Sequence, residues 1–179
     1  MLEGFRAFAP GLARKNEGFG PEYFEHLARL ESGHFWFEHR NRVILWGVRR
    51  FLPQAKSFLE IGCGTGFVLS AIRANDPRSR LAGGEIHVGG LTFARRRLPG
   101  VELFQIDATS IPFESEFDAI GAFDVIEHIE QDVMALKEAH RALVPGGILF
   151  LSVPQHPFLW SAVDEHSFHK RRYQAGALR

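Results

Sequence analysis

The chain has 179 residues, 45% hydrophobic and 23% charged, and its 21 basic and 21 acidic side chains cancel to a formal charge of zero. That length suits a single domain with one real core, and the charge balance argues against nucleic acid as a main partner, which leaves a basic excess or stripe. A lone cysteine, Cys63, excludes an internal disulfide framework and fits a reducing compartment, so the cytoplasm is the expected location. No apolar run approaches the roughly 20 residues that cross a bilayer, and residues 1–20 lack a signal-peptide core. The basic runs at 95–97 and 170–172 read as solvated surface.

Residues 1–20, rich in glycine and broken by Pro10, are expected to form a loose arm. Residues 21–31 place Phe24, Leu27, Ala28 and Leu30 at helical spacing. After Ser32 and Gly33 a longer helical pattern runs over 34–53 and stops at Pro53. The two helices are expected in front of a main domain, with arm and first helix at 1–33 and the main domain at 34–179.

From Ser57 the pattern changes. "SFLEI" is a short apolar strand, followed by glycines and the helix "GFVLSAIRAN". "RLAGGEI" at 80–86 is a second strand, with "GGLTFARRRLP" as its helix. "VELFQI" at 101–106 and "FDAIGAF" at 117–123 are the third and fourth. A helix over 130–147 ends in Pro-Gly-Gly, and "ILFLSVP" at 148–154 is the fifth strand. Apolar strands alternating with helices predict an α/β fold, a parallel sheet covered by helices on both faces. Ligands of such sheets sit beyond the carboxyl ends of the strands. Glu60, Glu85, Asp107 and Asp124 all fall at or near those ends.

Gly62, Gly64 and Gly66 stand on alternate positions of the first strand-to-helix turn. Each glycine loses backbone entropy on folding, so a bare backbone there has a purpose. A glycine turn before a helix lets an anion approach main-chain N–H groups. Counting G-x-G-x-x-G from Gly62 puts Phe67 where the third glycine belongs, and the Gly-Lys-Ser/Thr of a P-loop is absent.

"LEIGCGTG", "GGEI", "QIDATSIPF", "FDAIGAFDVIEHI" and "LVPGGILFLSVP" together resemble the class I S-adenosylmethionine-dependent methyltransferases, over about residues 35–173. The resemblance is nearest to the small-molecule branch that includes quinone methyltransferases. It implies a Rossmann-like doubly wound sheet, S-adenosylmethionine as cofactor, S-adenosylhomocysteine as product and a small-molecule acceptor. It places the methionyl carboxylate beside Gly62, Cys63, Gly64 and Gly66, and the ribose hydroxyls on Glu85. The adenine falls between Asp107 and the Ala108 N–H, flanked by Ile86 and Ile106. Phe123 is carried to the methionyl portion, and Glu60 to shaping the loop and approaching the amino group. Simpler roles stand beside these: Glu85 or Asp107 as a helix cap or acceptor of loop N–H groups, and Cys63 as packing that offers only its backbone N–H.

Methyl transfer from a sulfonium is an in-line displacement, so alignment supplies up to roughly 7–11 kcal/mol and no residue is obligatory. A base adds about 10²–10⁴-fold for a hydroxyl or amine acceptor. Asp124, Glu127, His128 and His156 lie near the mouth, and His128, expected neutral, is the chosen base, with a structural role as its alternative. The segments 34–42 and 153–173, rich in His, aromatic and basic residues, resemble a lid and acceptor wall. Arg40 fits the cofactor carboxylate, an anionic acceptor or a surface ion pair. Asp164, His166 and His169 make only a loose ligand pattern, and no metal is expected.

The resemblance implies two further strands in an antiparallel hairpin, whereas the chain stops at Arg179. The sheet is therefore expected to be truncated after the fifth strand, leaving an edge that a second copy of the chain would cover. Two other readings are a catalytically inactive, cofactor-binding regulatory or assembly subunit and a nicotinamide-dependent reductase, the latter disfavoured by Phe67.

Overall fold

The computed structural model describes residues 1–14, 20–77 and 79–178. Its spine is β2 (Ser57–Ile61), buried from Phe58 onward because helices cover both faces of the sheet. The strand can therefore be apolar throughout. It pairs in parallel with β3 (Arg80–Glu85) on one side and β5 (Phe117–Phe123) on the other. β4 (Glu102–Gln105) lies outside β3, β6 (Leu143–Ser152) outside β5, and a two-residue β1 (Arg6–Ala7) outside β4. The six strands run β1-β4-β3-β2-β5-β6, all parallel. Strand order reverses at β2, and that crevice is where an open parallel sheet binds ligands.

The sheet is doubly wound, as expected. α1 (Pro21–Glu31) packs with α4 (Val88–Arg97), and α2 (Phe35–Phe51) with α3 (Phe67–Asn75). α5 (Asp132–Ala142) and a short α6 (Ala162–His166) complete the helices. One core joins Leu59, Phe104, Phe113, Phe117 and Ile120 with Ala139 and Ala142 of α5. Another joins Phe58, Ala119 and Phe123 with Ile44 of α2 and Val68, Leu69 and Ile72 of α3. Gly47 lets α2 come close to β6, since a Cβ there would collide with the Phe150 ring.

Two expectations need correction. The arm is not loose over residues 1–14: Arg6–Ala7 joins the sheet, and the Phe8 N–H donates to the Gln105 carbonyl at 2.8 Å. Residues 15–19 of the expected arm, and Arg78 and Arg179, lie outside the described residues. The helix expected over 130–147 covers only Asp132–Ala142, and the chain enters β6 at Leu143. There the Glu116 N–H donates to the Ala142 carbonyl and Leu143 pairs with Phe117, so sheet pairing overrides the helical pattern. β6 forms the outer edge, with Ile148 41% exposed.

Gln105, fully buried, ties the arm down. Its Nε2 donates to the Ala9 and Ile86 carbonyls at 2.9 and 3.0 Å, and its Oε1 accepts from the Ala9 N–H at 3.1 Å. Gln105→Leu should lower stability by about 1–3 kcal/mol, because it strands those buried groups. Urea denaturation measures the loss, and hydrogen exchange should quicken at residues 6–9.

Candidate functional site

The turn after β2 is built on left-handed glycines. Gly62 takes φ +67° and Gly64 φ +50°, a region other residues rarely adopt. At Gly62 a Cβ would also stand 2.5 Å from Val125, so the turn and the β5 exit press together. Gly66, also left-handed at φ +76°, precedes α3, and a Cβ there would meet Leu98 and Ala94.

Three N–H groups of this turn are engaged within the fold. Cys63 donates to the Gly84 carbonyl at 3.0 Å and Gly66 to the Cys63 carbonyl at 2.7 Å. Gly64 donates to Glu85 Oε2 at 3.0 Å, while the other Glu85 oxygen accepts from the His87 N–H at 3.0 Å. Glu85 is thus an acceptor of loop N–H groups in this state. Cys63 is buried, burial pushes its thiol well up, and its N–H is spent inside the fold.

A second clamp grips the same turn from α1. Glu31, 4% exposed, accepts the Thr65 hydroxyl at 2.6 Å and pairs with Arg97 of α4 at 2.7 Å. Arg97 also donates to the Thr65 hydroxyl and carbonyl at 2.8 and 3.2 Å. Sequence reading did not find Glu31, since nothing near it in the chain names its partners.

These elements enclose a cavity of about 940 Å³. Its wall includes Glu60, Gly62, Cys63, Gly64, Glu85, Ile86, Asp107, Ala108 and Phe123, so every expected cofactor residue except Gly66 converges there. Asp107 Oδ1 accepts the Thr109 N–H and its Oδ2 the Thr109 hydroxyl, both at 2.8 Å. That turn is the simpler role, and it still leaves the residue on the wall. Trp36, Phe37 and Arg40 from one expected lid, and Val153, Pro154, Val163, Ser167 and His169 from the other, close the remaining sides.

The floor is acidic, and two of its carboxyl groups are buried. Glu60 is buried with no partner for Oε2, and burial raises its carboxyl to about 8, against the pull of Arg40. Glu127 is 0% exposed with neither oxygen partnered, and desolvation raises it to about 8. Arg40 stands among these acids, 2.6 Å from Asp124 Oδ2 and donating to the Phe123 carbonyl at 2.7 Å. Asp124, at φ +56°, also accepts the Ser152 hydroxyl at 3.0 Å, so it serves as an ion-pair partner.

His128 lines the cavity as a neutral ring, as expected, with burial and then His169 lowering it to about 4. A base at neutral pH works best with a value near 7, so the expected proton-accepting role is weakened. His156 is exposed and off the wall. The Asp164, His166 and His169 pattern is not assembled: Asp164 is a buried hub for Arg172, His169 and Ser161.

A family model described as a methyltransferase domain matches residues 59–151, the stretch that carries the turn and the acidic strand tips. The chain belongs to the methyltransferase-domain family. Its fold and motif order are those of the class I S-adenosylmethionine-dependent members. It is 31% identical to a trans-aconitate 2-methyltransferase of Methylobacterium nodulans, over 68% of this chain and 49% of that one. It is 27% identical to a demethylmenaquinone methyltransferase of Chlorobaculum tepidum, over 76% and 55%. Among solved structures it resembles S-adenosylmethionine-bound CalS10, an amino pentose methyltransferase of Micromonospora echinaspora. The TM-score is 0.58 and the identity 28%, covering 74% of this chain and 56% of that one. The chain thus spans about half the length of the curated family members it matches. Among the described residues no helix is long and apolar enough to cross a membrane.

Arg97→Met should cost about 1–3 kcal/mol, since it leaves the buried Glu31 carboxylate on the Thr65 hydroxyl alone. Chemical denaturation reads the loss, and Arg97→Lys, which keeps the charge, should recover part of it.

Proposed function

We propose that this chain binds S-adenosylmethionine and transfers its methyl group to a small-molecule acceptor, leaving S-adenosylhomocysteine. The observation that carries the reading is convergence: the bare glycine turn, Glu85 on β3 and Asp107 just past β4 all face one cavity. The donor set fits the cofactor's chemistry, because Glu60 keeps an unpartnered buried oxygen on a wall where an ammonium or sulfonium would be welcome. The bound sulfonium supplies an activated methyl carbon and its own leaving group.

The chain's part is positioning. Glu85 would exchange its Gly64 contact for the ribose hydroxyls, a charge-assisted pair of hydrogen bonds. Asp107 and the Ala108 N–H would hold the adenine edge, with Ile86 and Ile106 against its faces. Glu60 would take the amino group and Phe123 flank the methionyl chain. With the Cys63 and Gly66 N–H groups engaged, Arg40 is the group proposed for the methionyl carboxylate, and Gly62, Cys63, Gly64 and Gly66 shape the turn. Excluding water strengthens each of these contacts. His128 is proposed as part of the acceptor wall, a weak base at best for a hydroxyl acceptor.

A neutral charge balance supports a small molecule over nucleic acid as acceptor, and the single cysteine supports a cytoplasmic location. The exposed outer edge of β6 is where a second copy would pair. The named acceptors of the similar proteins differ, a carboxylic acid, a quinol precursor and an amino sugar, so the acceptor is sought by screening those classes and phenols.

Calorimetry with S-adenosylmethionine, S-adenosylhomocysteine and NADH tests the cofactor. Binding of the first two and not the third is expected, and NADH binding alone would overturn the reading. Glu85→Ala should weaken S-adenosylmethionine at least about tenfold, the loss of roughly one charged hydrogen bond. Full affinity would remove the ribose assignment.

Glu60 adds a pH signature. Its carboxyl is raised to about 8, so it is mostly protonated at pH 7. A cation beside it favours the ionised form. Cofactor binding at pH 7 should therefore release a proton, and affinity should rise towards pH 8 and then level. Calorimetry in two buffers of different ionisation enthalpy reads the proton, and Glu60→Gln should abolish it. The raised value also makes the free chain lose stability as pH climbs from about 4.5 to 8. Glu60→Gln should reduce that decline, leaving the share contributed by Glu127, which is raised in the same way.

A further inference from the structure

One cluster on the cavity wall has no part in the cofactor's proposed site. Ligand atoms of Glu127, His128 and His169 lie within 4.8 Å of one another. Two of these residues come from the 3₁₀ turn after β5, and His169 comes from the segment following α6. The Lys170 N–H donates to the Glu127 carbonyl at 2.7 Å and fixes the two segments in register.

Three features distinguish this cluster from a chance gathering of polar groups. Glu127 is completely buried, and both its oxygens lack a hydrogen-bond partner. An uncompensated carboxylate in that position is costly unless something cationic meets it. His169 is oriented from behind: its Nδ1 lies 2.9 Å from Asp164 Oδ1, leaving Nε2 as the ring nitrogen able to ligate. Asp164 is itself immobilised, with 0% exposure, by Arg172 at 2.6 and 2.7 Å and by the Ser161 N–H at 2.9 Å. A carboxylate behind a histidine is the usual support of a metal-bound imidazole. The Ser167 backbone also hydrogen-bonds the His128 ring. The two rings meet edge to face, with centroids 4.7 Å apart.

We propose that Glu127, His128 and His169 form a binding site for a divalent transition-metal ion of the zinc type, opening on the cavity. Two imidazoles and one carboxylate are borderline donors that suit zinc, cobalt or iron and poorly suit magnesium. Ligand atoms around zinc at roughly 2.0–2.2 Å stand about 3.3–3.5 Å apart. Small rotations of the three side chains therefore close the observed spacing. With metal bound, His128 is a ligand and takes no proton. The site does not depend on the acceptor's identity or on methyl transfer occurring.

The test uses the full chain stripped with a chelator and titrated by calorimetry with zinc chloride, then separately with magnesium chloride. One equivalent of zinc should bind, with magnesium far weaker. Cobalt(II) should give the intense visible absorption of a four- or five-coordinate site. Glu127→Gln is nearly isosteric with the proton-bound carboxyl and adds no charge, so it should fold. It should lower zinc affinity at least roughly tenfold, as should Asp164→Asn acting through His169. Equal zinc affinity in the parent chain and Glu127→Gln would overturn the site, assigning the metal to exposed histidines. So would a cobalt spectrum like that of the aqueous ion. S-adenosylmethionine binding by the same samples is a separate readout, so loss of the metal site and loss of the cofactor site are told apart.

Discussion

The contact on which the rest depends is the one between Glu85 and the backbone of the glycine turn. A carboxylate at the tip of β3 accepts the Gly64 N–H across to the next strand's exit and the His87 N–H on its own. It thereby sets the spacing between the two connections that flank the crevice. The turn takes this shape because Gly62 and Gly64 adopt left-handed backbone, and at Gly62 a Cβ would also run into Val125. The Glu31, Thr65 and Arg97 clamp then holds the far side of the turn against α1 and α4. The turn is thus held from two directions before any ligand arrives, and the Glu31 clamp, which the proposed cofactor contacts leave intact, is the side that is preorganised. Preorganisation of that kind lowers the ordering cost of binding.

The strands were legible because their burial leaves a simple trace. A parallel strand covered on both faces reads as an unbroken apolar run, and β2 and β5 were delimited almost to the residue. The acids at strand tips were legible for the complementary reason, since a charge at the end of an apolar run must face a cavity or solvent. β1 was missed because two residues carry no periodicity, and its pairing depends on Gln105, 96 residues from its Ala9 partner. Glu31 was missed for the same reason, its partners standing 34 and 66 residues away. The start of β6 was misjudged because "KEAHRAL" continues a helical pattern that only pairing with Phe117 interrupts.

Within the site, residue identities were read more reliably than their states. Glu60, Glu85, Asp107 and Phe123 do share a cavity. That Cys63 spends its N–H on the Gly84 carbonyl of β3 and Gly66 on the Cys63 carbonyl, while Glu60 keeps an oxygen unpartnered, follows from hydrogen-bond accounting in three dimensions. The histidines illustrate the same limit. Spacing drew attention to Asp164, His166 and His169, whereas folding gathers Glu127, His128 and His169 and places Asp164 behind them.

These states share one electrostatic logic. The cavity floor gathers Glu60, Asp124 and Glu127 around Arg40, which pairs directly with Asp124 and acts on the other two through the field. Desolvation therefore holds Glu60 and Glu127 in their proton-bound form, poised to ionise when a positive charge enters. A sulfonium and an ammonium on one side, and a divalent ion on the other, are cations of the kind such a floor accepts. For the proposed ligands, binding there would be an exchange of protons for cations, which would offset the cost of keeping carboxyl groups buried in the cavity.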